Sequence, residues 1–336
     1  MPDISSVPVG RTGGVDVTNL ALGTAALGNL FTAVAEEDSD ALLRSALESG
    51  IAHIDTAPFY GVGLAEERVG RILAGVPRSS YTLSSKVGRL IHPLGPGEVV
   101  PTNEYVDTPA RVSRFDLSRD GIRRSLDESL GRLGIDRIDV LYLHDPDDHE
   151  EAAHATAIPA LLELRDEGLV GAVGAGMNQS EMLDRFVQAF DIDVVLLAGR
   201  YTLLDQGGLD ELLPRCVERG VQVMIGGPFN SGLLANPRPG ATFNYTIAAP
   251  EVVSRAKQLQ AVCARYDVPL TAAAIQFPLA HPAVASVLTG ARSVVELKEN
   301  LASFTTEIPA DLWRELRSEG LVPAHVPLPG IDEAGR

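Results

Sequence analysis

Four side chains in the first half of the sequence are of the types that move a proton to and from oxygen. They are Asp55 and Tyr60 in HIDTAPFYGVGLAEERVG, Lys86 in SSKVG and His144 in LYLHDPDD. A phenol protonates an alkoxide when a carbonyl is reduced and takes the proton of an alcohol when it is oxidised. Free in water it titrates near ~10, so it serves near neutral pH only beside a cation that stabilises its anion. Lys86 can supply that cation, Asp55 can anchor the ammonium, and His144 can hydrogen-bond the reacting oxygen. Taken singly, Asp55 reads as a strand-end cap, Tyr60 as a packed aromatic, Lys86 as a snorkelling surface residue and His144 as a buried neutral imidazole. Their joint placement points to chemistry, because they fall at the same end of three successive apolar runs.

Those runs belong to a longer series. Leu20 to Thr24, Ala52 to Thr56, Tyr81 to Val87, Asp139 to His144, Val170 to Ala175, Val194 to Ala198, Gln222 to Gly226 and Ala285 to Thr289 are short, apolar and β-rich, and helical periodicity follows each. This alternation predicts an α/β fold, a (β/α)8 TIM barrel forming a single domain over 1–336, with the four residues at its C-terminal mouth. An open doubly wound sheet lacks its glycine fingerprint, since the first strand gives LGTAALGNL rather than GxGxxG. The helix over Asp120 to Leu133 has Ser118 as N-cap, Ile122, Leu126, Leu130 and Leu133 on one face, and Gly134 at its end. Gly50, Gly75, Gly168 and Gly220 close four others, while Pro250 and Pro309 open two, the second an extra C-terminal helix around Asp311 to Ser318. Ahead of the first strand, VPVGRTGGVDVTNLALG reads as a β-hairpin that plugs the N-terminal end of the barrel. The stretch over about 88–118 far exceeds ordinary loop length and is expected to act as a substrate lid.

The 336 residues carry a net charge of −17, with acidic residues spread throughout, which disfavours nucleic acid and anionic membrane surfaces as partners. Only Cys216 and Cys263 occur, without zinc-ligand spacing, so neither a structural disulfide nor a metal is expected and a reducing compartment fits. No basic segment followed by an apolar one opens the chain, and no run of about 18 apolar residues occurs. A cytoplasmic protein acting on a small molecule is expected, with its oligomeric state open.

In combination, DTAxxYG with its following Glu and Gly, the strand-terminal lysine and LxLHDP resemble the signature regions of the aldo-keto reductase superfamily, over Gly10 to about Asn300. The resemblance implies an NAD(P)-dependent oxidoreductase whose catalytic tetrad is Asp55, Tyr60, Lys86 and His144, with Tyr60 as general acid and base. It also implies that GGPFNSGLLA crosses the cofactor pyrophosphate, which assigns Pro228, Asn230, Ser231, Gly232 and Leu233 to cofactor binding, with Gly23 and Thr24 at the end of the first strand. A plain surface turn is the other reading of that segment. Gly226 stands where the family commonly has an aromatic stacked on the nicotinamide. GAGMNQSEML corresponds to a segment that usually reads GxSN; Gly176 and Met177 take the expected places, and Asn178, one position late, is assigned to the carboxamide or else to the turn that starts a helix at Ser180.

After the eighth strand, VLTGARSVVELKEN opens a helix whose N–H donors suit an anion. The family pattern places Gly290, Ala291, Arg292 and Ser293 along the adenosine-phosphate side and Asn300 toward the adenine. Members that prefer NADP usually present Lys or Arg four residues before this Asn, and here Glu296 stands there. A carboxylate repels a phosphate dianion but accepts from a ribose hydroxyl, so NAD is expected over NADP. The alternative for Glu296 is a solvated first-turn acid favoured by the helix dipole.

Within the superfamily, LGN near residue 28, GGPFNSGLL and YTLLDQ resemble the branch of L-fucose/D-threo-aldose 1-dehydrogenases and pyridoxal 4-dehydrogenase. That implies oxidation of the anomeric hydroxyl of an aldose such as L-fucose, D-arabinose or L-galactose to the lactone. Pyridoxal oxidation to its lactone is the alternative, as is NADPH-dependent reduction of an aldehyde or ketone. Asn29, Phe59 and Phe229, with the long loop, are expected to meet the substrate, and the low aromatic content of 5% leans toward a sugar. Two readings of another class stand beside these: a non-catalytic subunit that senses nicotinamide, and a barrel hydrolase using Asp55 and His144.

Overall fold

The eight apolar runs become eight parallel strands in the computed structural model, which describes residues 3–10, 14–99, 104–244 and 246–331. They are β1 (Leu20–Gly23), β2 (His53–Asp55), β3 (Thr82–Val87), β4 (Ile138–His144), β5 (Val170–Met177), β6 (Val194–Ala198), β7 (Gln222–Gly226) and β8 (Val284–Gly290). Neighbours in sequence are neighbours in the sheet, and β8 pairs with β1, Leu288 opposite Ala21 and Gly290 opposite Gly23, so the sheet closes into a barrel. Side chains alternate in and out along each strand. One apolar set, including Ala21, Val140, Tyr142, Ala172, Val194, Leu196 and Met224, fills the interior. A larger set packs the strands against the surrounding helices. Gly174 of β5 is required by the closeness of β6: a Cβ there would overlap the Val194 carbonyl oxygen.

Local chemistry sets the helix ends. Ser118 Oγ accepts the Gly121 N–H at 3.0 Å to start the helix Arg119–Leu133, and Gly134 ends it at φ +66°. Gly50, Gly168 and Gly220 follow their helices in the same left-handed region, at φ +87°, +75° and +68°. Pro250 opens the helix Pro250–Arg265, and the extra helix Ala310–Ser318 begins directly after Pro309 and buries Trp313. At the other end, Ser6–Val9 pairs antiparallel with Val15–Thr18. Val9, Val15 and Val17 join the interior cluster, so this hairpin closes the N-terminal end of the barrel; its turn, 11–13, lies outside the described residues.

The long segment after β3 carries regular structure. Arg89–Pro93 pairs antiparallel with Arg111–Phe115, making a hairpin that stands at the C-terminal mouth. It is stitched to the loop after β1: Phe31 N–H donates to the Glu104 carbonyl at 2.7 Å, Val106 N–H to the Asn29 carbonyl at 3.1 Å, and Leu30 bridges Tyr105. Cys216 and Cys263 are buried, and burial pushes each thiol up to about 12. Among the described residues no helix is long and apolar enough to cross a membrane, and no group of three or more His, Cys, Asp or Glu is placed to hold a metal ion.

Candidate active site

Asp55 ends β2, Tyr60 follows in the next turn, and Lys86 and His144 stand near the ends of β3 and β4. Consecutive parallel strands bring these positions together at one rim. Lys86 Nζ donates to Asp55 Oδ2 at 2.7 Å and to the Thr56 carbonyl at 2.9 Å, and both charged side chains are buried. Paired in this way, neither buried charge is left uncompensated. The ammonium lies 4.7 Å from the centre of the Tyr60 ring, and the Tyr60 and His144 rings meet edge to face at 5.8 Å. Burial, reinforced by the Lys86 and Arg89 cations, holds the His144 imidazole well below its ordinary range. His144 is therefore neutral near pH 7 and equipped to donate a hydrogen bond rather than to deliver a proton.

The Tyr60 turn is fixed by close backbone approach. A Cβ on Gly28 would lie 2.5 Å from the Tyr60 carbonyl carbon, and one on Gly61, at φ +62°, would run into the Gly28 carbonyl oxygen. The acidic and basic residues after Tyr60 tie this turn to its neighbours. Glu66, fully buried, accepts from Ser85 Oγ and Arg132 Nε at 2.7 Å each. Arg68 donates to the Leu27 carbonyl at 2.7 Å, to Asn29 Oδ1 at 3.0 Å and to the Val34 carbonyl at 2.8 Å. Glu67 pairs with Arg111 of the mouth hairpin at 2.6 Å.

Beside His144 the hairpin contributes Arg89. Its guanidinium is sandwiched between the rings of Phe59 and Phe115, at 4.5 and 4.2 Å from their centres, and lies 3.6 Å from Asp145. Asp145 Oδ2 is in turn 3.3 Å from His144 Nε2. Burial, opposed by Arg89, pushes the Asp145 carboxyl up to about 6, and its backbone is left-handed at φ +43°. Phe59 also meets Tyr105 at 5.6 Å and His144 at 6.0 Å, so aromatic faces and one ion pair surround the same spot.

A cavity of 350 Å³ runs from Asp55 and Tyr60 to Arg292 and Glu296. Gly23, Asn178, Pro228, Asn230, Ser231, Gly232 and Gly290, all assigned from the sequence to cofactor binding, line it, and so does Phe229. Four assigned residues are used elsewhere. Thr24 is buried and donates its hydroxyl to the Asp55 carbonyl at 2.9 Å. Leu233 packs in the outer core. Asn300 supports the cavity wall by donating to the Gly290 carbonyl at 3.2 Å. Asn29 spends its amide on Val34 N–H, Arg68 and the Asp107 carbonyl, holding the mouth loop rather than facing the cavity. Phe59 stands beside the tetrad against Arg89.

Sequence reasoning did not single out Phe31, Leu196, Ala198 or Asn244, which also line the cavity. Strand alternation at the C-terminal end of β6 would have found Leu196 and Ala198. Asn244 has no such signal, being placed by the short hairpin of Thr242–Phe243 with Thr246–Ile247 and by Arg200, which donates to its Oδ1 at 2.6 Å.

The lining fits a nicotinamide dinucleotide. No side chain rises from Gly226, where a Cβ would stand 3.3 Å from Leu196 Cδ2, and the floor stays open. Gly227, Asn230, Ser231 and Gly232 all take positive φ, 61°, 47°, 56° and 91°, bending the backbone into the kind of concave turn that receives anions. The helix Val294–Thr305 starts at the far end, after the cavity-lining Arg292, and adds its N-terminal dipole. Asn178 stands on the β5 side, at the end of the barrel that holds Tyr60.

Comparison with known proteins agrees with this geometry. The chain is 41% identical over 325 residues to D-threo-aldose 1-dehydrogenase from Pseudomonas sp, covering 95% of this chain and 99% of the relative. It is also 41% identical over 333 residues to pyridoxal 4-dehydrogenase from Microbacterium luteolum, covering 94% and 97%. Among solved structures, the holo form of an aldo-keto reductase from Bacillus halodurans matches with a TM-score of 0.73 at 26% identity, over 96% of this chain and 98% of that one. Residues 19–319 match the family model described as the aldo/keto reductase family, and with the barrel and the four converging residues this establishes that the chain belongs to that family.

Proposed function

We propose that this oxidoreductase removes hydride from the anomeric carbon of an aldose such as L-fucose, D-arabinose or L-galactose and yields the lactone, with NAD as acceptor. The observation that carries the sugar reading is the Arg89–Asp145 pair at 3.6 Å, adjacent to His144. A donor and an acceptor beside the reacting oxygen complement the hydroxyl next to an anomeric carbon. The 41% identity to an enzyme named D-threo-aldose 1-dehydrogenase supports it.

In this reading the anomeric hydroxyl sits between Tyr60 and neutral His144. His144 donates to or orients the oxygen, and the Tyr60 phenolate takes its proton as charge leaves the carbon. Lys86 stabilises the phenolate across the 4.7 Å that separates ammonium and ring centre, and Asp55 keeps the ammonium in place. A nicotinamide dinucleotide would be held by Asn178 at its nicotinamide end, by the Pro228–Gly232 turn and by the Arg292–Glu296 end of the cavity, and would supply the hydride acceptor. Glu296 supports NAD: its Oε2 accepts the Arg292 N–H at 2.9 Å and its Oε1 lies 3.5 Å from Arg292 Nε, so the nearby cation is already engaged by a carboxylate.

A second reading, oxidation of the pyridoxal hemiacetal, is favoured by the Phe59, Tyr105 and Arg89 faces, which suit a flat ring. NADH formation with L-fucose, D-arabinose, L-galactose and pyridoxal in parallel separates the two. Tyr60→Phe is expected to lower kcat by roughly 10²–10⁴-fold on the true substrate. Turnover on pyridoxal alone would replace the sugar reading, and an active Tyr60→Phe would remove Tyr60 from its role.

A further inference from the structure

Directly beneath the tetrad, two polar side chains are buried in the barrel without a part in the chemistry described so far. Ser84 stands opposite Asp55 in the pairing of β2 with β3, and His53 lies two residues before Asp55 on the same face of β2; both are fully buried. Ser84 Oγ donates to Asp55 Oδ1 at 2.7 Å, and His53 Nε2 lies 3.0 Å from that same Oγ.

The direction of each bond follows from counting protons. A serine hydroxyl has one. Given to the carboxylate, it leaves Ser84 Oγ an acceptor toward the imidazole, so His53 carries its proton on Nε2 and its Nδ1 is bare. Nδ1 is buried without a hydrogen-bond partner among the described residues, which a bare acceptor tolerates better than an N–H would. Burial also holds this imidazole at about 4, neutral at working pH.

Each oxygen of Asp55 thus has its own donor, Lys86 Nζ at 2.7 Å on Oδ2 and Ser84 on Oδ1. Lys86 spends two of its three N–H protons on Asp55 and the Thr56 carbonyl, which leaves the third for the side where Tyr60 lies. If Oδ1 lost its donor, the carboxylate would turn to present both oxygens to the ammonium and draw it away from the phenol. We infer that Ser84 and His53 are positioning residues of the reaction, a fixed chain from His53 through Ser84 to Asp55 that locks the carboxylate and aims the Lys86 ammonium at Tyr60. The inference rests on the tetrad reading above.

Two measurements on the full chain test it. Nitrogen chemical shifts of His53 in the isotopically labelled wild-type protein report its tautomer, with a protonated Nε2 and a bare Nδ1 expected; a proton on Nδ1 overturns the chain of bonds without any variant having to fold. In steady-state assays on whichever of the four compounds above is turned over, Ser84→Ala is expected to lower kcat roughly 10-fold, the worth of one hydrogen bond in a barrier. KM and the NADH dissociation constant should stay within about two-fold, because the residue touches neither ligand. Ser84→Thr, which restores a hydroxyl on the same carbon, should recover most of the loss, and His53→Leu should show a smaller fall in kcat alone. Equal kcat in wild type and Ser84→Ala, with Tyr60→Phe inactive, rejects the positioning role and spares the tetrad. An active Tyr60→Phe rejects both, and a Ser84→Ala defect that Thr does not relieve assigns the residue to packing.

Discussion

At the scale of the residue, the proposed reaction makes Asp145 the point where recognition and chemistry meet, since it lies beside both His144 and Arg89. Burial disfavours its charged form, Asp147 and Glu104 add to that, and Arg89 and Lys86 oppose it, with the balance at about 6. As pH falls through about 6, Asp145 gains a proton and loses the charge that makes it a strong acceptor for a substrate hydroxyl in the proposed reaction, whereas His144, held well below its ordinary 6.5, stays neutral across the same window. The kcat/KM of a polyol substrate is expected to fall on the acid side with a midpoint near that value, mainly through KM, and Asp145→Asn should abolish this limb. A limb that survives the substitution belongs to another group. Glu296 invites a parallel test at the far end of the cavity. Replacing it by Lys exchanges repulsion of a 2′-phosphate for attraction, so Glu296→Lys should raise the NADP-to-NAD ratio of kcat/KM at least roughly 10-fold. An unchanged ratio in paired kinetics would remove Glu296 as the selector.

At the scale of the element, the site depends on how two loops press together. The Gly28 and Gly61 backbones are in contact, and a methyl on Gly28 would lie 2.5 Å from the Tyr60 carbonyl carbon. Gly28→Ala must therefore push the Tyr60 turn outward by something like 1 Å, a displacement that can cost about 10²-fold in rate. Gly131, in the helix Arg119–Leu133, is the control, because a methyl group there would meet nothing within 4 Å: Gly131→Ala should leave kcat unchanged. Measuring kcat and melting temperature together decides the matter, since an intact rate in Gly28→Ala would mean that the turn adapts. The same packing explains what could be read from the chain and what could not. The barrel strands are apolar runs whose burial is written in their composition, and the convergence of Asp55, Tyr60, Lys86 and His144 follows because strand ends and the turns after them share a rim. The mouth hairpin, RLIHP against RVSRF, mixes charge into both strands; it is held by pairing, by the Arg89 sandwich and by its stitches to the loop after β1, none of which is local in sequence. Thr24, Asn29 and Leu233 adjoin lining residues in sequence, but the direction of a side chain within a turn is set by tertiary partners such as Arg68 and the Asp55 carbonyl, and Asn300, one helical turn beyond Glu296, is turned to the Gly290 carbonyl.

At the scale of the whole molecule, the barrel separates chemistry from support along its axis. The tetrad and the cavity occupy the C-terminal rim, while Val9, Val15 and Val17 of the N-terminal hairpin close the opposite end and are buried in the interior cluster with Ala21, Val140 and Ala172. Conserving this separation has an energetic consequence that can be measured. Truncating Val15 and Val17 together to Ala removes four buried methyl groups, which should cost about 2–5 kcal/mol of unfolding free energy because a rigid barrel floor collapses poorly around the gap. Between the floor and the tetrad lies a layer containing Tyr142, His53 and Ser84, all fully buried, and the strands that carry them are tied by continuous parallel pairing. Such a frame should confine the disturbance to the end where the methyl groups are lost. Denaturant midpoints are therefore expected to fall in the Val15→Ala, Val17→Ala double variant while kcat stays within roughly two-fold of wild type under conditions where the protein remains folded. A parallel fall in kcat would instead mean that interior packing reaches Lys86 through the Tyr142 layer, so that the floor of the barrel helps to set the aim of its ammonium.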